Sequence, residues 1–208
     1  MSISKNISAI IFDIGNVIID IDYDVMEREF KKIAITDFRQ IVNYTHQDNF
    51  FNQYEKGEIS TPQFRNILRK YLKANVTDQE IDHAWNSILI HYPPAKFELL
   101  KKLRGHYKIF ALSNINDLHA TAIDQYLKSH FDVLNMAGYF DKAYYSHVVG
   151  HRKPEREIYE MVIQNENLRP AETLFIDDKL ENTNAAAGLG IQVHHLRDRD
   201  SLIALLGK

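Results

Sequence analysis

Four consecutive apolar residues, Ala9-Ile10-Ile11-Phe12, run directly into Asp13, and Gly15 follows two residues later. A continuous apolar run of this kind reads as a strand buried on both faces, as in a parallel sheet. A lone carboxylate is costly to bury, so Asp13 is expected to emerge at the carboxyl end of the strand. Open α/β sheets place their ligands at that edge. An aspartate that merely caps the next element explains this stretch equally well, and the choice depends on what lies further along.

Downstream of residue 92 the pattern alternates. Phe97, Leu100 and Leu103 mark a helix that breaks at Gly105, and Tyr107-Lys108-Ile109-Phe110-Ala111-Leu112 reads as a strand ending in Ser113-Asn114. Residues 117–128 read as a helix, 143–146 as a short strand, and a helix opens at Pro154. A strand over 172–176 ends in Asp177-Asp178, a helix covers 182–187, and Ile191-Gln192-Val193 forms a last strand. This alternation predicts an α/β fold, a Rossmann-like three-layer parallel sheet with helices on both faces.

Between the first two strands the period changes. After an extended segment over 17–22, Val25, Phe30 and Ile33 share one helical face of 24–35, and Thr36-Asp37-Phe38 restarts a helix. Phe50, Phe51 and Tyr54 belong to a further helical piece ending at Gly57, and Ser60-Thr61-Pro62 opens another. Thr77-Asp78-Gln79-Glu80 is a capping box before Ile81, Trp85, Ile88 and Leu89, and Pro93-Pro94 ends the region. With no evident strand, it reads as a helical bundle. The expected organisation is a core of 1–20 and 93–208 with an inserted helical cap over 21–92.

Composition excludes several classes. The 208 residues suffice for a sizeable core, and 45% hydrophobic with 25% charged residues is ordinary for a globular chain. A formal net charge of −3 offers no basic footprint, so no nucleic-acid partner is expected. With no cysteine, disulfide and thiolate chemistry are out. No apolar run approaches a membrane span and the first residues do not read as a signal peptide. The expectation is a cytoplasmic protein without a membrane partner, a monomer or weak homodimer.

In a parallel sheet Asp13, Ser113-Asn114 and Asp177-Asp178 all open on one edge, joined by His151-Arg152-Lys153-Pro154 ahead of a helix. Three carboxylates repel one another unless a cation lies between them, and Mg²⁺ suits an all-oxygen set. A hydroxyl, an amide and a lysine would hold the oxygens of an anion such as phosphate, with Asp13 attacking in line.

The stretches Phe12-Asp13-Ile14-Gly15-Asn16-Val17, Leu112-Ser113-Asn114, Arg152-Lys153-Pro154 and Phe175-Ile176-Asp177-Asp178, in that order, resemble the four motifs of the haloacid dehalogenase superfamily. The small sugar-phosphatase branch related to α-D-glucose-1-phosphate phosphatase is similar at Phe-Asp-x-Gly-Asn-Val and at Gly57-Glu58-Ile59-Ser60. The resemblance implies a Mg²⁺-dependent phosphomonoester hydrolase acting on a small phosphorylated metabolite, with a sugar phosphate such as glucose 1-phosphate first. It implies Asp13 as nucleophile forming an aspartyl-phosphate, and Ser113, Asn114 and Lys153 as substrate-binding groups, Ser113 and Lys153 being catalytic too. It implies Asp13, the Gly15 carbonyl, Asp177 and Asp178 as metal ligands.

Gly15 departs from the pattern, because most phosphatases of the superfamily carry a second aspartate there as general acid and base. Losing such a group typically costs about 10²–10⁴ in rate. A substrate with an acidic leaving hydroxyl, such as an anomeric one, needs less protonation; otherwise Asp20, Asp22 or a cap residue supplies the proton, or the chain is a weak enzyme or a non-catalytic binding protein. The 2-haloacid dehalogenases also lack an acid there, but have no use for the pair Asp177-Asp178. The ten histidines are scattered, and His147 with His151, or His194 with His195, do not make a metal site. Trp85, Tyr92, Phe50, Phe51 and Tyr54 read as cap core ahead of a sugar-stacking surface.

Overall fold

The computed structural model describes residues 6–35 and 50–207. Strand β1 (Ala9–Phe12) is followed by β2 (Asp20–Ile21) and helix α1 (Tyr23–Ile33). Helices α2 (Phe50–Glu55), α3 (Thr61–Arg69) and α4 (Asp78–Asn86) lead to β3 (Leu89–His91). Then α5 (Pro94–Leu103), β4 (Lys108–Ser113), α6 (Asp117–Phe131) and β5 (Lys142–Tyr145) alternate. The chain continues through α7 (Ser146–Val149), α8 (Arg156–Asn165), β6 (Thr173–Asp177) and α9 (Leu180–Ala187), and finishes with β7 (Gln192–His195) and α10 (Leu202–Leu206).

Five strands form one parallel sheet in the order β5-β4-β1-β6-β7, with β1 at its centre. Side chains alternate across a strand, and β1 shows the consequence. Ile10 and Phe12 enter a core cluster with Phe97, Leu100, Leu127 and Leu202. Ala9 and Ile11 enter the opposite one, with Ile158, Tyr159, Val162 and Ala186. The apolar run of β1 is therefore needed on both faces, and the fold is the expected three-layer α/β sheet.

A third cluster lies apart from the sheet. Met26, Phe30, Phe51, Phe64, Leu68, Ile81 and Trp85 pack together, joined from α6 by Leu118. Both expected helix starts hold: Thr77 and Glu80 form a reciprocal capping box, and Ser60 does the same with Gln63. The expected helix over 24–35 ends at Ile33, and Met26 is buried in place of Val25. The restart at Thr36-Asp37-Phe38 lies outside the described residues.

The region does contain a strand, contrary to expectation. Leu89-Ile90-His91 carries the apolar period of the preceding helix, yet it pairs antiparallel with β2, Asp20 opposite His91 and Ile21 opposite Leu89. Three residues have no strand signal of their own; a partner 70 positions away makes one. Next to this pairing, Asp20 is buried against Lys96 at 3.1 Å, with Arg199 at 4.0 Å, and Asp22 caps α1 through the Asp24 N–H. Tyr92 leaves the aromatic set of the helices and stacks on Tyr126 at 3.9 Å over the sheet.

Candidate active site

Asp13 sits one residue past β1, with its main-chain N–H still donating to Ile176 in the sheet. Its carboxylate receives three donors on one oxygen: Oδ1 accepts from the Ile14 N–H at 2.7 Å, from Ser113 Oγ at 2.8 Å and from Lys153 Nζ at 2.9 Å. Oδ2 accepts none of these three. Ser113 arrives from the end of β4 and Asp177 from the end of β6, the two strands flanking β1. The parallel topology thus brings residues a hundred or more positions apart to one edge.

Lys153 is the hub. Its side chain is 1% exposed, and its ammonium bridges Asp13 and Asp177, the latter at 2.6 Å. Burial alone would pull this ammonium down, but Asp13 and Asp177 together hold it above the ordinary lysine value. Asn114 sets its position: the carboxamide accepts from the Lys153 N–H and donates to the Lys153 carbonyl, both at 2.8 Å. Both ends of that side chain are thereby engaged with the lysine backbone.

Asp177 is fully buried and also takes the Asn182 carboxamide on both oxygens at 3.0 Å and the Lys179 N–H at 2.8 Å. Asp178 accepts from Asn16 Nδ2 at 3.1 Å. One carboxylate oxygen from each of Asp13, Asp177 and Asp178 lies within 4.8 Å of the others. Burial pushes the Asp13 carboxyl up to about 6, against the pull of Lys153 and with repulsion from Asp177 and Asp178 adding to it. Three crowded carboxylates, with Lys153 in contact with two of them and Lys179 nearby, form a donor set that a hard divalent cation fits.

Beside this cluster lies a cavity of about 580 Å³, lined by its neighbours Ser113, Lys153 and Asn182 but not by the three carboxylates themselves. Gly15, Ser113, Asn114 and Lys153 line one end; Ile21, Met26, Trp85, Ile88 and Ile115 form an apolar wall. Tyr23, Glu55, Arg152 and Lys179 line it as well, and Arg152 donates to Glu55 Oε2 through Nε at 3.1 Å and Nη2 at 3.0 Å. Asp20 and Asp22 do not line it. Of the histidines weighed from the sequence, His147 donates through Nδ1 to the Ile115 carbonyl and His195 through Nε2 to that of Asp178; neither belongs to the carboxylate cluster.

Sequence reasoning missed Asn16, Asn182 and His119. Asn182 stands five residues past Asp177, on the first inward turn of α9, a spacing legible once the strand end is known. Asn16 has φ 54° and uses its amide to join Asp178 to the Ile21 N–H. His119 stacks on Trp85 at 5.1 Å and 6°. Its Nε2 donates to the Trp85 carbonyl at 3.1 Å, and its Nδ1 accepts from Asn116 at 3.0 Å. That network admits only the neutral ring, and burial pushes its pKa down to about 4.

A lowered histidine pKa means that the unfolded chain binds the extra proton first, so stability rises with pH between about 4 and 6.5. The His119 contribution alone amounts to up to about 3 kcal/mol lost on acidification across that window, opposed in the metal-free protein by the raised Asp13 carboxyl. His119→Gln should flatten this part of the curve of melting temperature against pH; an unchanged slope would remove His119 as its cause.

A family model of haloacid dehalogenase-like hydrolases matches residues 7–190, and the chain belongs to that family. A D-ribitol-5-phosphate phosphatase of Bacteroides thetaiotaomicron is 33% identical over 187 residues, 89% of this chain and 90% of the relative. A sesquiterpene phosphatase of Aspergillus oryzae is 26% identical over 191 residues, covering 91% and 90%. The crystal structure of a family enzyme from B. thetaiotaomicron, an aspartate-to-alanine variant in complex with magnesium and inorganic phosphate, superposes with a TM-score of 0.85 at 34% identity, covering 91% and 93%. An L-2-haloacid dehalogenase structure, 16% identical with a TM-score of 0.55 over 90% and 83%, shares the fold.

Proposed function

We propose that the chain is a Mg²⁺-dependent phosphomonoester hydrolase of small phosphorylated metabolites. The observation that carries this is the cluster at the sheet edge, in which Lys153 bridges Asp13 and Asp177 with Asp178 alongside. The crystallised magnesium and phosphate complex of the relative supports the same ion and the same anion here. Magnesium, when bound, neutralises charge on the transferring phosphoryl oxygens. Asp13, Asp177, Asp178 and the Gly15 carbonyl would hold it.

The chain's own residues do the rest. The three donors on Asp13 Oδ1 fix the carboxylate and leave Oδ2 to attack phosphorus, giving an aspartyl-phosphate. Lys153 keeps Asp13 ionised and neutralises a phosphoryl oxygen. The main-chain N–H of Asn114 donates to a remaining oxygen, and Ser113 joins it by turning its one hydroxyl proton from Asp13 to the phosphoryl group. Residues 21–92 act as a cap over a core of 1–20 and 93–208, excluding bulk water from the cavity.

A sugar phosphate is the first substrate class, with glucose 1-phosphate ahead because an anomeric hydroxyl needs little protonation; the ribitol-5-phosphate relative supports a polyol phosphate. Gly15 favours two rivals, a phosphometabolite-binding protein without turnover and a 2-haloacid dehalogenase. Against the latter stands the Asp177-Asp178 pair, costly without a cation to hold. Phosphate release from sugar 1-phosphates, sugar 6-phosphates and ribitol 5-phosphate, with Mg²⁺ and then with chelator, tests the reading. Hydrolysis that stops with chelator and returns with Mg²⁺ is expected. Phosphate binding without turnover would favour the binding protein, and chelator-insensitive halide release the dehalogenase.

A further inference from the structure

Of the three carboxylates at the sheet edge, two are held by several donors and the third by one. Asp13 takes three hydrogen bonds on Oδ1, and Asp177 is held by Lys153, Asn182 and the Lys179 N–H. The Asp178 main chain is anchored from β7, where His195 Nε2 donates to its carbonyl at 3.0 Å. Its half-buried carboxylate has one hydrogen-bond donor among the described residues, the Asn16 carboxamide, Nδ2 to Oδ2 at 3.1 Å. Where that carboxylate points therefore depends on Asn16.

Asn16 is itself held in a conformation that few residues tolerate. Its φ of 54° lies in the left-handed region, which asparagine enters more readily than most residues with a side chain. The surrounding turn keeps it there. Its N–H donates to the Ile19 carbonyl at 2.7 Å, the Ile18 and Ile19 N–H groups donate to Ile14, and Val17, Ile18 and Ile19 are fully buried. In a trans peptide the carbonyl opposes the N–H, so the bond to Ile19 also fixes which way the Gly15 carbonyl faces. The other end of the amide, Oδ1, accepts from the Ile21 N–H at 3.2 Å. A carboxylate only accepts and a main-chain N–H only donates, so these two partners admit a single orientation of the amide.

Ile21 stands where the chain leaves the sheet. Ile19 belongs to the core cluster, whereas Ile21 packs against the helical one. Ile21 pairs with Leu89 of the returning segment, the Asp22 N–H donates to the Ile88 carbonyl, and the Asp22 side chain caps α1. One carboxamide thus joins a carboxylate of the metal set to the β2–β3 crossing between sheet and helical cluster.

We propose that Asn16 is a positioning residue that couples the metal site to the cap: it aims Asp178 at the cation, and cation binding in turn steadies the β2–β3 crossing. This rests on the Mg²⁺ reading above. Linkage makes the coupling reciprocal: a cation that favours the aimed Asp178 favours the Asn16–Ile21 bond with it.

Asn16→Gly isolates the amide, because glycine keeps the left-handed turn and the main-chain N–H while losing both side-chain bonds. In chelator the variant should melt within about 4 °C of wild type. Its Kd for Mg²⁺, measured by calorimetry without phosphate, should rise about 10–100-fold, the usual effect of losing a group that orients a metal ligand. The second readout is made on wild type as well. In hydrogen exchange, Mg²⁺ at about ten times its Kd should slow the Ile21 and Asp22 amides by up to about tenfold relative to those of α8. That extra protection should vanish in Asn16→Gly; if the variant does not fold, the wild-type exchange decides alone. An unchanged Kd in Asn16→Gly, or equal protection of α8 and the crossing in wild type, would overturn the proposal and leave the Mg²⁺ reading standing. No Mg²⁺ binding by wild type would overturn that reading, and this proposal with it.

Discussion

Asp13→Asn is expected to reduce Mg²⁺-dependent phosphate release by about 10⁴–10⁶ while leaving the metal-free protein at least as stable as wild type. The first half follows from removing the proposed nucleophile, since loss of such a group from a catalytic unit has effects of about that size. The second follows from the electrostatics. Burial first, then Asp177 and Asp178, outweigh Lys153 and raise the Asp13 carboxyl to about 6. A group raised in the folded state binds its proton there first. Without a cation, the Asp13 contribution to stability therefore falls as pH rises from about 4 to about 6, and above that window a neutral amide avoids the loss. The amide oxygen can still accept from Ile14 and Ser113. Turnover and thermal melting in chelator at neutral pH check both halves. A variant with wild-type turnover would remove Asp13 as nucleophile, and a large drop in melting temperature would show that its charge stabilises the fold.

Lys153→Met should do the opposite to stability. The ammonium is the one cationic side chain in contact with both buried carboxylates among the described residues, at 2.9 Å from Asp13 and 2.6 Å from Asp177. Removing one partner of a buried ion pair leaves uncompensated charge and typically costs about 3–5 kcal/mol. For a chain of this length that lowers the melting temperature by about 10 °C. Millimolar Mg²⁺ should recover part of the loss, because a cation bound only by the folded state stabilises it. Lys153→Met with Asp13→Asn should recover much of the rest, since one of the two stranded charges is gone, and activity should stay absent. If Lys153→Met melted with wild type in chelator, the bridge would carry no stability, and the lysine's role would be confined to phosphate.

The two variants separate what Asp13 and Lys153 each do. Both are expected to be inactive, so activity alone does not distinguish them. Their opposite effects on the metal-free fold do, because the carboxylate is crowded by like charges whereas the lysine is surrounded by unlike ones.

Much of the candidate site was legible in the chain because strand ends carry their own signal. An apolar run that stops at a charged or hydroxyl residue marks where a buried strand meets the ligand edge, and Asp13, Ser113 and Asp177 are each such a stop. Parallel pairing then leaves little choice about which residues meet. Helix starts with capping boxes at Ser60 and Thr77 were equally local, since side chain and backbone satisfy each other within four residues.

What the chain alone left open was decided by contacts between distant segments. β3 exists only through its pairing with β2, and Asp20, one of the groups weighed as a proton donor, is drawn instead onto Lys96, 76 residues away. Neither residue has a local pattern that announces the pair. The neutral state of His119 depends on Trp85 and Asn116 closing around it. Gly15 is the sharpest case. By itself it shows that no side-chain acid stands at that position; that Ile21 occupies the space beside it, pinned through Asn16 to Asp178, is a fact of packing. Local sequence sets which residues can form strands, caps and charged ends, while the partner of each buried polar group is a question of distance in space, which only the folded chain answers.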